Sequence, residues 1–567
     1  MQEKKVIYQV FTRTFGNRNT TKKPWGSLQE NGVGKMADFT PGVLKQIKSM
    51  GCTDIWYTGV IRHATTTDYS RYGIPKQHAQ VVKGKAGSPY AITDYYDIDP
   101  DIAVDVNNRM EEFQSLIKRT HAAGLKVIID FVPNHVAREY KSIMKPEGVR
   151  DLGEDDDVSK HFDSQNNFYY CPSTALDLTD VLCSAQQSVQ DSAAADYREY
   201  PAKCTGNDHF DAKPGVNDWY ETVKLNYGID YCDLGGRSEH FDPIPSTWLR
   251  MTEILLYWAS KGVDGFRCDM AEMVPTAFWN YAIGCVKEKI PCISFIGEVY
   301  NLSLYRHYIA AGFDYLYDKC GMYDCLRNVI ANGGWANDIT NQWQQVDDIR
   351  EYMLYFLENH DEQRIASDFF AHDGKKAIPA LVVMTLLGNN PIMIYAGQEF
   401  GERGMDAEGF SGKDGRSTIF DYWSVDAVRT GFFSKKELSI EQKTLAGIYN
   451  KVLGICNTEA AIREGVMFDL MYANQHKADF HPQRHYAFIR KHGHEVIIVI
   501  ANFGDKDENI SVTIPRHAFE YLHLEEQEAT GIDLLTSRQQ AVSLKIDGEI
   551  PFFVKGYNAV VLKMNVL

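Results

Sequence analysis

Lys126-Val127-Ile128-Ile129-Asp130-Phe131-Val132-Pro133-Asn134-His135 is a short β-branched run that breaks off at a carboxylate and a proline and then turns polar. A helical pattern over 108–123 leads into it, and the pairing recurs along most of the first 450 residues. Strand-like runs fall at 6–11, 54–60, 126–132, 265–268, 294–299, 313–317, 355–358 and 391–395, with helical patterns between them at 43–50, 108–123, 246–261, 276–289 and 378–387. Alternation of this kind is the α/β signature. Eight strand–helix repeats predict a closed parallel (β/α)8 TIM barrel more than an open doubly wound sheet, and a barrel carries its chemistry at the carboxyl ends of its strands.

Two stretches depart from the repeat. From Val136 to about His240 the text is irregular, rich in Asn, Asp, Gly and Pro, with four cysteines and the acidic run Glu154-Asp155-Asp156-Asp157, which reads as a solvated face. A connection of that length predicts an inserted domain after strand 3. Beyond about Val466 the pattern is strictly β, with runs at 486–490, 496–502, 510–514, 542–546 and 559–564, and predicts a C-terminal antiparallel β-sandwich domain. The expected division is therefore a barrel from 1–135 and 241–465, an insert from 136–240 and a β domain from 466–567.

Length and composition bound the function. A chain of 567 residues with 44% apolar and 24% charged residues has a sizeable core and is a folded globular protein. Fifty-nine basic against 76 acidic residues give a net charge of −17, which argues against nucleic acid and anionic membranes and favours a neutral or cationic small partner. The eleven cysteines, at 52, 171, 183, 204, 232, 268, 285, 292, 320, 325 and 456, are odd in number and lack a C-x-x-C pair. That speaks against a complete disulfide framework and against a zinc ribbon, and free thiols in a reducing cytoplasm are the simpler account. No signal-peptide h-region is visible near Met1, and no apolar run reaches transmembrane length. A cytoplasmic location is expected, with a periplasmic or secreted one as the alternative should a leader have been removed.

The strand ends carry carboxylates that a merely structural barrel has no reason to place there. Strand 3 ends in Asp130 to His135, strand 4 in Gly265-Phe266-Arg267-Cys268-Asp269, strand 5 in Gly297-Glu298-Val299-Tyr300 and strand 7 in Glu358-Asn359-His360-Asp361. Taken singly, each is as well read as a cap or an ion pair. Converging from different strands, they supply what a retaining glycosidase needs: one carboxylate to attack the anomeric carbon and one carboxylic acid to protonate the leaving oxygen. Arg267 and Asp269 share a strand face by the period of two, so the guanidinium is expected to hold Asp269 ionised, while nearby negative charge helps keep Glu298 protonated. His135 and His360, beside these carboxylates, read as hydrogen-bonding partners of sugar hydroxyls. Cys268 should face away from Asp269 and pack in the core.

In order and spacing, the four segments resemble the four signature regions of the α-amylase family, glycoside hydrolase family 13. The likeness extends to Val6-Ile7-Tyr8-Gln9-Val10-Phe11 with Arg13 and Phe15, to Ser88-Pro89-Tyr90 with Asp94-Tyr95 and Ile98-Asp99-Pro100, to Ile394-Tyr395-Ala396-Gly397-Gln398-Glu399-Phe400-Gly401, and to the C-terminal β text, which resembles the family's domain C. The resemblance implies a retaining α-glucan hydrolase acting on α-1,4 bonds of starch, glycogen or maltooligosaccharides, with Asp269 as nucleophile, Glu298 as general acid/base and Asp361 as the third carboxylate that grips the substrate. It further implies that Arg267 orients the nucleophile, that His135, His360 and Tyr90 contact the sugar, that Asp130 supports the network and that Arg364 points toward the non-reducing side. Asn134 aligns with a residue that binds a structural Ca²⁺ in many relatives; the chemistry itself requires no cofactor.

One departure stands out. Many relatives carry Lys-His three and four residues after the nucleophile, where this chain has Glu272 and Met273. Glu272 reads either as a ligand of acceptor-side sugar hydroxyls, which favours glycosyl transfer, or as a local ion-pair partner. A glucanotransferase is accordingly the alternative enzyme, and a non-catalytic glucan-binding protein the remote one.

Overall fold

The computed structural model describes residues 3–183, 196–405 and 409–566. Eight parallel strands close into a barrel: β1 (Val6–Phe11), β2 (Asp54–Thr58), β3 (Lys126–Phe131), β4 (Gly265–Cys268), β5 (Ser294–Gly297), β6 (Tyr315–Tyr317), β7 (Met353–Phe356) and β8 (Ile392–Tyr395). Each neighbours its successor in the chain, and β8 closes on β1 with Val6 opposite Ile392. All eight are the strands expected from sequence. β7 begins and ends two residues earlier than the run at 355–358, so Glu358 to Asp361 leave the sheet before they turn.

Alternation along the strands builds two cores. Outward residues such as Ile55, Tyr57, Val127, Ile129, Phe266, Cys268 and Phe295 join the main core beneath the surrounding helices. These include α1 (Pro41–Ser49), capped by the Thr40 side chain, α2 (Arg109–Ala122), α3 (Ser246–Ser260) and α4 (Thr276–Lys289). Inward residues Ile7, Trp56, Ile128, Ile296, Tyr317, Leu354, Phe356 and Met393 form a separate apolar plug. Two residues further along, the inward positions become Gln9, Asp130 and Glu298, so the polar layer stands directly on a dry floor.

Among the described residues between β3 and α3 the strand pairings are short: His135–Ala137 with Thr222–Lys224, Tyr170–Cys171 with Ala202–Lys203, and Ile229–Asp230 with Ser238–Glu239. The part of the expected insert at 184–195 lies outside the described residues. Within its acidic run Glu154, Asp155 and Asp157 are exposed as expected, but Asp156 turns inward and accepts from the amides of Asn167 and Phe168 and from the Tyr170 hydroxyl.

The C-terminal part is antiparallel. β9 (Val466–Asp469), β10 (His485–His492), β11 (Glu495–Asn502), β16 (Asn558–Asn565), β13 (Gln527–Asp533) and β14 (Gln539–Leu544) form one sheet in that order, and β12 (Glu508–Thr513) pairs with β15 (Glu549–Val554) in a second. Arg490 of β10 is buried against the barrel side, donating to the carbonyls of Leu387, Ala461, Ile462 and Gly465. Without these four carbonyls and the Asn389 side-chain oxygen, which accepts from Nη2, the cation would be buried at high cost, so this side chain fixes how the sheet docks.

Candidate active site

Arg267, fully buried on β4, organises the site. Its Nη1 lies 2.7 Å from Asp269 Oδ1 and 3.6 Å from Asp130 Oδ1, and its Nη2 lies 2.9 Å from Glu298 Oε2. The register explains the meeting: Arg267 stands opposite Asp130 on β3, and the amides of Asp269 and Glu298 continue the barrel ladder by donating to Phe131 O and Cys268 O. The rings of Trp56, Tyr90 and Tyr317 surround the guanidinium at 5.2 to 5.5 Å, and Tyr317 OH accepts from its Nε. A planar cation seated between π faces stays charged and fixed in orientation.

Glu298 is held from two further sides. Tyr300 OH donates to its Oε1 at 2.6 Å and the Met270 amide to its Oε2 at 2.7 Å. Met270 reaches that position with φ +42°, a left-handed conformation that a side-chain-bearing residue adopts only where its surroundings impose it. Asp130 is anchored by Trp56 Nε1 and the Gly59 amide.

Asp361 approaches from the β7 exit and is 39% exposed at the mouth. Its amide donates to Asn359 Oδ1, its carbonyl accepts from Arg416 Nε, and its Oδ2 lies 3.1 Å from His360 Nε2. Gln9 Nε2 donates to His360 Nδ1, so the ring proton sits on Nε2, facing Asp361 and the hydroxyl of Tyr90. Burial and the nearby Arg267 charge keep His360 neutral, and burial with Lys224 and Lys83 brings His135 down to about 3. Two neutral imidazoles suit hydroxyl recognition better than anion binding. Tyr90 packs its ring at 5.3 Å from that of His360, and His135 packs against Trp219.

The electrostatics revise one expectation. The guanidinium does not serve Asp269 alone; it is shared with Glu298 and Asp130. Burial, together with repulsion from Glu298 and Asp361, pushes Asp269 above the ordinary carboxylate range despite Arg267, and Asp361 is pushed up by burial and by Glu298. Burial likewise takes Asp130 up to about 6. Several carboxylates share one cation, so their protonation is coupled. The acid limb of kcat/KM should therefore fall above about 4, the ordinary carboxylate value. Activity is lost as pH drops through the raised value, because the attacking carboxylate becomes protonated. A limb at or below 4 in a pH–rate profile would contradict this.

Three expected substrate contacts or ligands sit otherwise. Arg364 is buried with every donor nitrogen engaged: Nη1 to Glu358, Nη2 to Ala396 O and Nε to Ser417, over the Tyr395 ring at 3.8 Å. It braces the β7 and β8 exits, with each nitrogen held by the protein. Glu272 has no ion-pair partner among the described residues; its Oε2 accepts from the amides of Tyr300 and Asn301 and so pins the loop that carries Tyr300.

Asn134 is the third. Its Oδ1 accepts from Lys224 Nζ, which also lies 2.6 Å from Asp208 Oδ1 and 3.4 Å from Met273 O; Asn134 Nδ2 donates to Gly206 O. A buried ammonium among three oxygens leaves no place for a divalent cation, so the donor set does not fit Ca²⁺ and the expectation for Asn134 is corrected. Added Ca²⁺ should leave the melting temperature unchanged. Lys224→Met should cost about 2 kcal/mol or more by leaving Asn134 and Asp208 without their partner. A wild-type melting point that climbs with Ca²⁺ would refute the lysine's role.

Gln9, Trp56, Met270, Tyr300, Tyr317 and Arg416 are site residues that the sequence reading did not single out. Tyr300 could have been found, since it lies two residues after Glu298 on the same strand exit.

The family model for the alpha-amylase catalytic domain matches residues 9–175 and 325–445, just over half of the chain. Asp269 and Glu298 fall between the two matched stretches. Alpha-amylase MalA of Haloarcula japonica is 26% identical over 408 residues, covering 71% of this chain and 45% of its own length. The alpha-amylase of Streptomyces lividans is 24% identical over 92% of this chain and 55% of its own, and a cyclomaltodextrin glucanotransferase of Geobacillus stearothermophilus is 22% identical over 70% and 49%. The chain thus spans about half the length of these three relatives. Among solved structures, the maltogenic alpha-amylase AmyB of Thermotoga neapolitana aligns over 100% of this chain and 99% of its own with TM-score 0.62 at 18% identity, and the acarbose-bound alpha-amylase of Geobacillus thermoleovorans over 100% and 99% with TM-score 0.64 at 17% identity. With the barrel, the strand-end carboxylates and the matched catalytic-domain residues together, the chain belongs to the α-amylase family.

Proposed function

We propose that the protein is a retaining α-glucan hydrolase that cleaves α-1,4-glucosidic bonds in starch, glycogen or maltooligosaccharides. The observation that carries this reading is the pair Asp269 and Glu298, delivered by adjacent strands onto one buried guanidinium, with Asp361 across the opening. In the first step Asp269 Oδ attacks the anomeric carbon as Glu298 gives its proton to the departing glycosidic oxygen, forming a glycosyl ester on Asp269. In the second, Glu298 takes a proton from water, which displaces Asp269 and releases a sugar with retained configuration. Asp361 and neutral His360 hold the hydroxyls of the distorted ring, and Tyr90 packs against it. Arg267 keeps both reacting carboxylates in place through both steps.

The experiment is a product profile from maltoheptaose with the anomer followed by NMR. Initial release of the α-anomer fits retention, and the β-anomer would sink the mechanism. A glucanotransferase is the second reading, favoured by the absence of the Lys-His pair three and four residues after Asp269. Products longer than maltoheptaose would establish transfer; shorter ones alone would leave hydrolysis.

A further inference from the structure

His161, Cys171 and Cys204 of the insert meet at one point, with Cys232 against His161, all remote in sequence from the carboxylates. Cys171 Sγ lies 3.9 Å from Cys204 Sγ, His161 Nε2 lies 2.9 Å from Cys232 Sγ, and donor atoms of His161, Cys171 and Cys204 all fall within 4.8 Å of one another. All are unbridged thiols. We propose that His161, Cys171, Cys204 and Cys232 form a tetrahedral Zn²⁺ site that staples the insert.

The separation of the two sulfurs is that of a metal tetrahedron: Zn–S bonds of about 2.3 Å place neighbouring sulfurs about 3.8 Å apart. The histidine is set up in the manner of a ligand. Its Nδ1 lies 2.5 Å from the Tyr170 carbonyl, so it carries the proton and donates there, leaving the Nε2 lone pair turned to the thiols. A soft N/S₃ set selects Zn²⁺ over the hard cations that carboxylates hold. Binding releases the thiol protons to solvent and needs no oxidant.

The surrounding chain is built to hold the four residues. Asp156 ties the amides of Asn167 and Phe168 and the Tyr170 hydroxyl, fixing the approach to Cys171. The Cys204 amide donates to Tyr169 O, its carbonyl accepts from the Lys224 amide, and the Cys232 amide donates to Asp230 Oδ1. The metal would thereby join three segments whose strand pairings are only two or three residues long, too short to be stable alone, and would steady the strand that carries Lys224 to the barrel joint.

The test uses the full chain purified without chelator under reducing conditions. One zinc per chain is expected by elemental analysis, with a melting temperature that drops on treatment with a zinc chelator and recovers on adding Zn²⁺ alone. Co²⁺ in place of Zn²⁺ should show the thiolate-to-metal charge-transfer and visible bands of a tetrahedral site. Cys171→Ser with Cys204→Ser should weaken zinc retention about 100-fold or more, beyond the 10- to 100-fold that outer-shell changes cost. Should that pair fail to fold, Cys232→Ser, at an exposed position, should bind Co²⁺ with a weaker charge-transfer band, and an unchanged band would overturn the four-ligand set. Substoichiometric zinc even after incubation with Zn²⁺ would overturn the site, whether the thiols are then free or the mass is lower by two hydrogens because Cys171 and Cys204 have joined.

Discussion

Asp269→Asn should lower turnover of a maltooligosaccharide by about 10⁴-fold or more while leaving the melting temperature unchanged or raised. The amide cannot form the glycosyl ester, so the loss falls on the bond-making step and not on binding. The stability expectation has a separate origin. Asp269 is 5% exposed beside Glu298 and is pushed up by burial and by its acidic neighbours, so an isosteric neutral group relieves repulsion, and its amide oxygen can still accept from Arg267 Nη1. A variant within tenfold of wild-type turnover would remove Asp269 as nucleophile. A melting temperature several degrees lower would mean that the carboxylate is there to hold the barrel.

Arg267→Met should be the most damaging single change to stability at the site, about 3–5 kcal/mol, because it leaves buried carboxylates without their cation. Asp269, Glu298 and Asp130 all lie within 3.6 Å of that one guanidinium. The sign with pH follows. At neutral pH the uncompensated charges are at their most costly; as pH falls they protonate and the deficit shrinks. Comparing wild type and variant by thermal melting at pH 7 and near pH 4 checks this: a deficit that grows on acidification would show that packing against Trp56, Tyr90 and Tyr317 is what Arg267 supplies.

The barrel was legible because the strands are short, mostly apolar runs with punctuated ends, and that contrast survives in one dimension. The C-terminal sheets were read less completely. β15 contains Pro551, which argues against a strand, yet it pairs only with β12, and proline is tolerated at such an edge. In β13 burial alternates while polarity does not, and Gly531 sits there because a Cβ would come within 2.8 Å of the Leu562 side chain on β16. Arg364 was misread because its partners Glu358, Ala396 and Ser417 come from two strand exits and a distant loop.

By itself the sequence determined the eightfold repeat and which carboxylates end its strands, since apolar periodicity and strand punctuation are local properties of the chain. Only the tertiary structure decided how charge is distributed among them. A single guanidinium divided between Asp269, Glu298 and Asp130, a lysine standing where a cation was expected, and cysteines 171, 204 and 232 gathered around His161 all depend on distances between residues far apart in the chain, and charge and coordination act through distance.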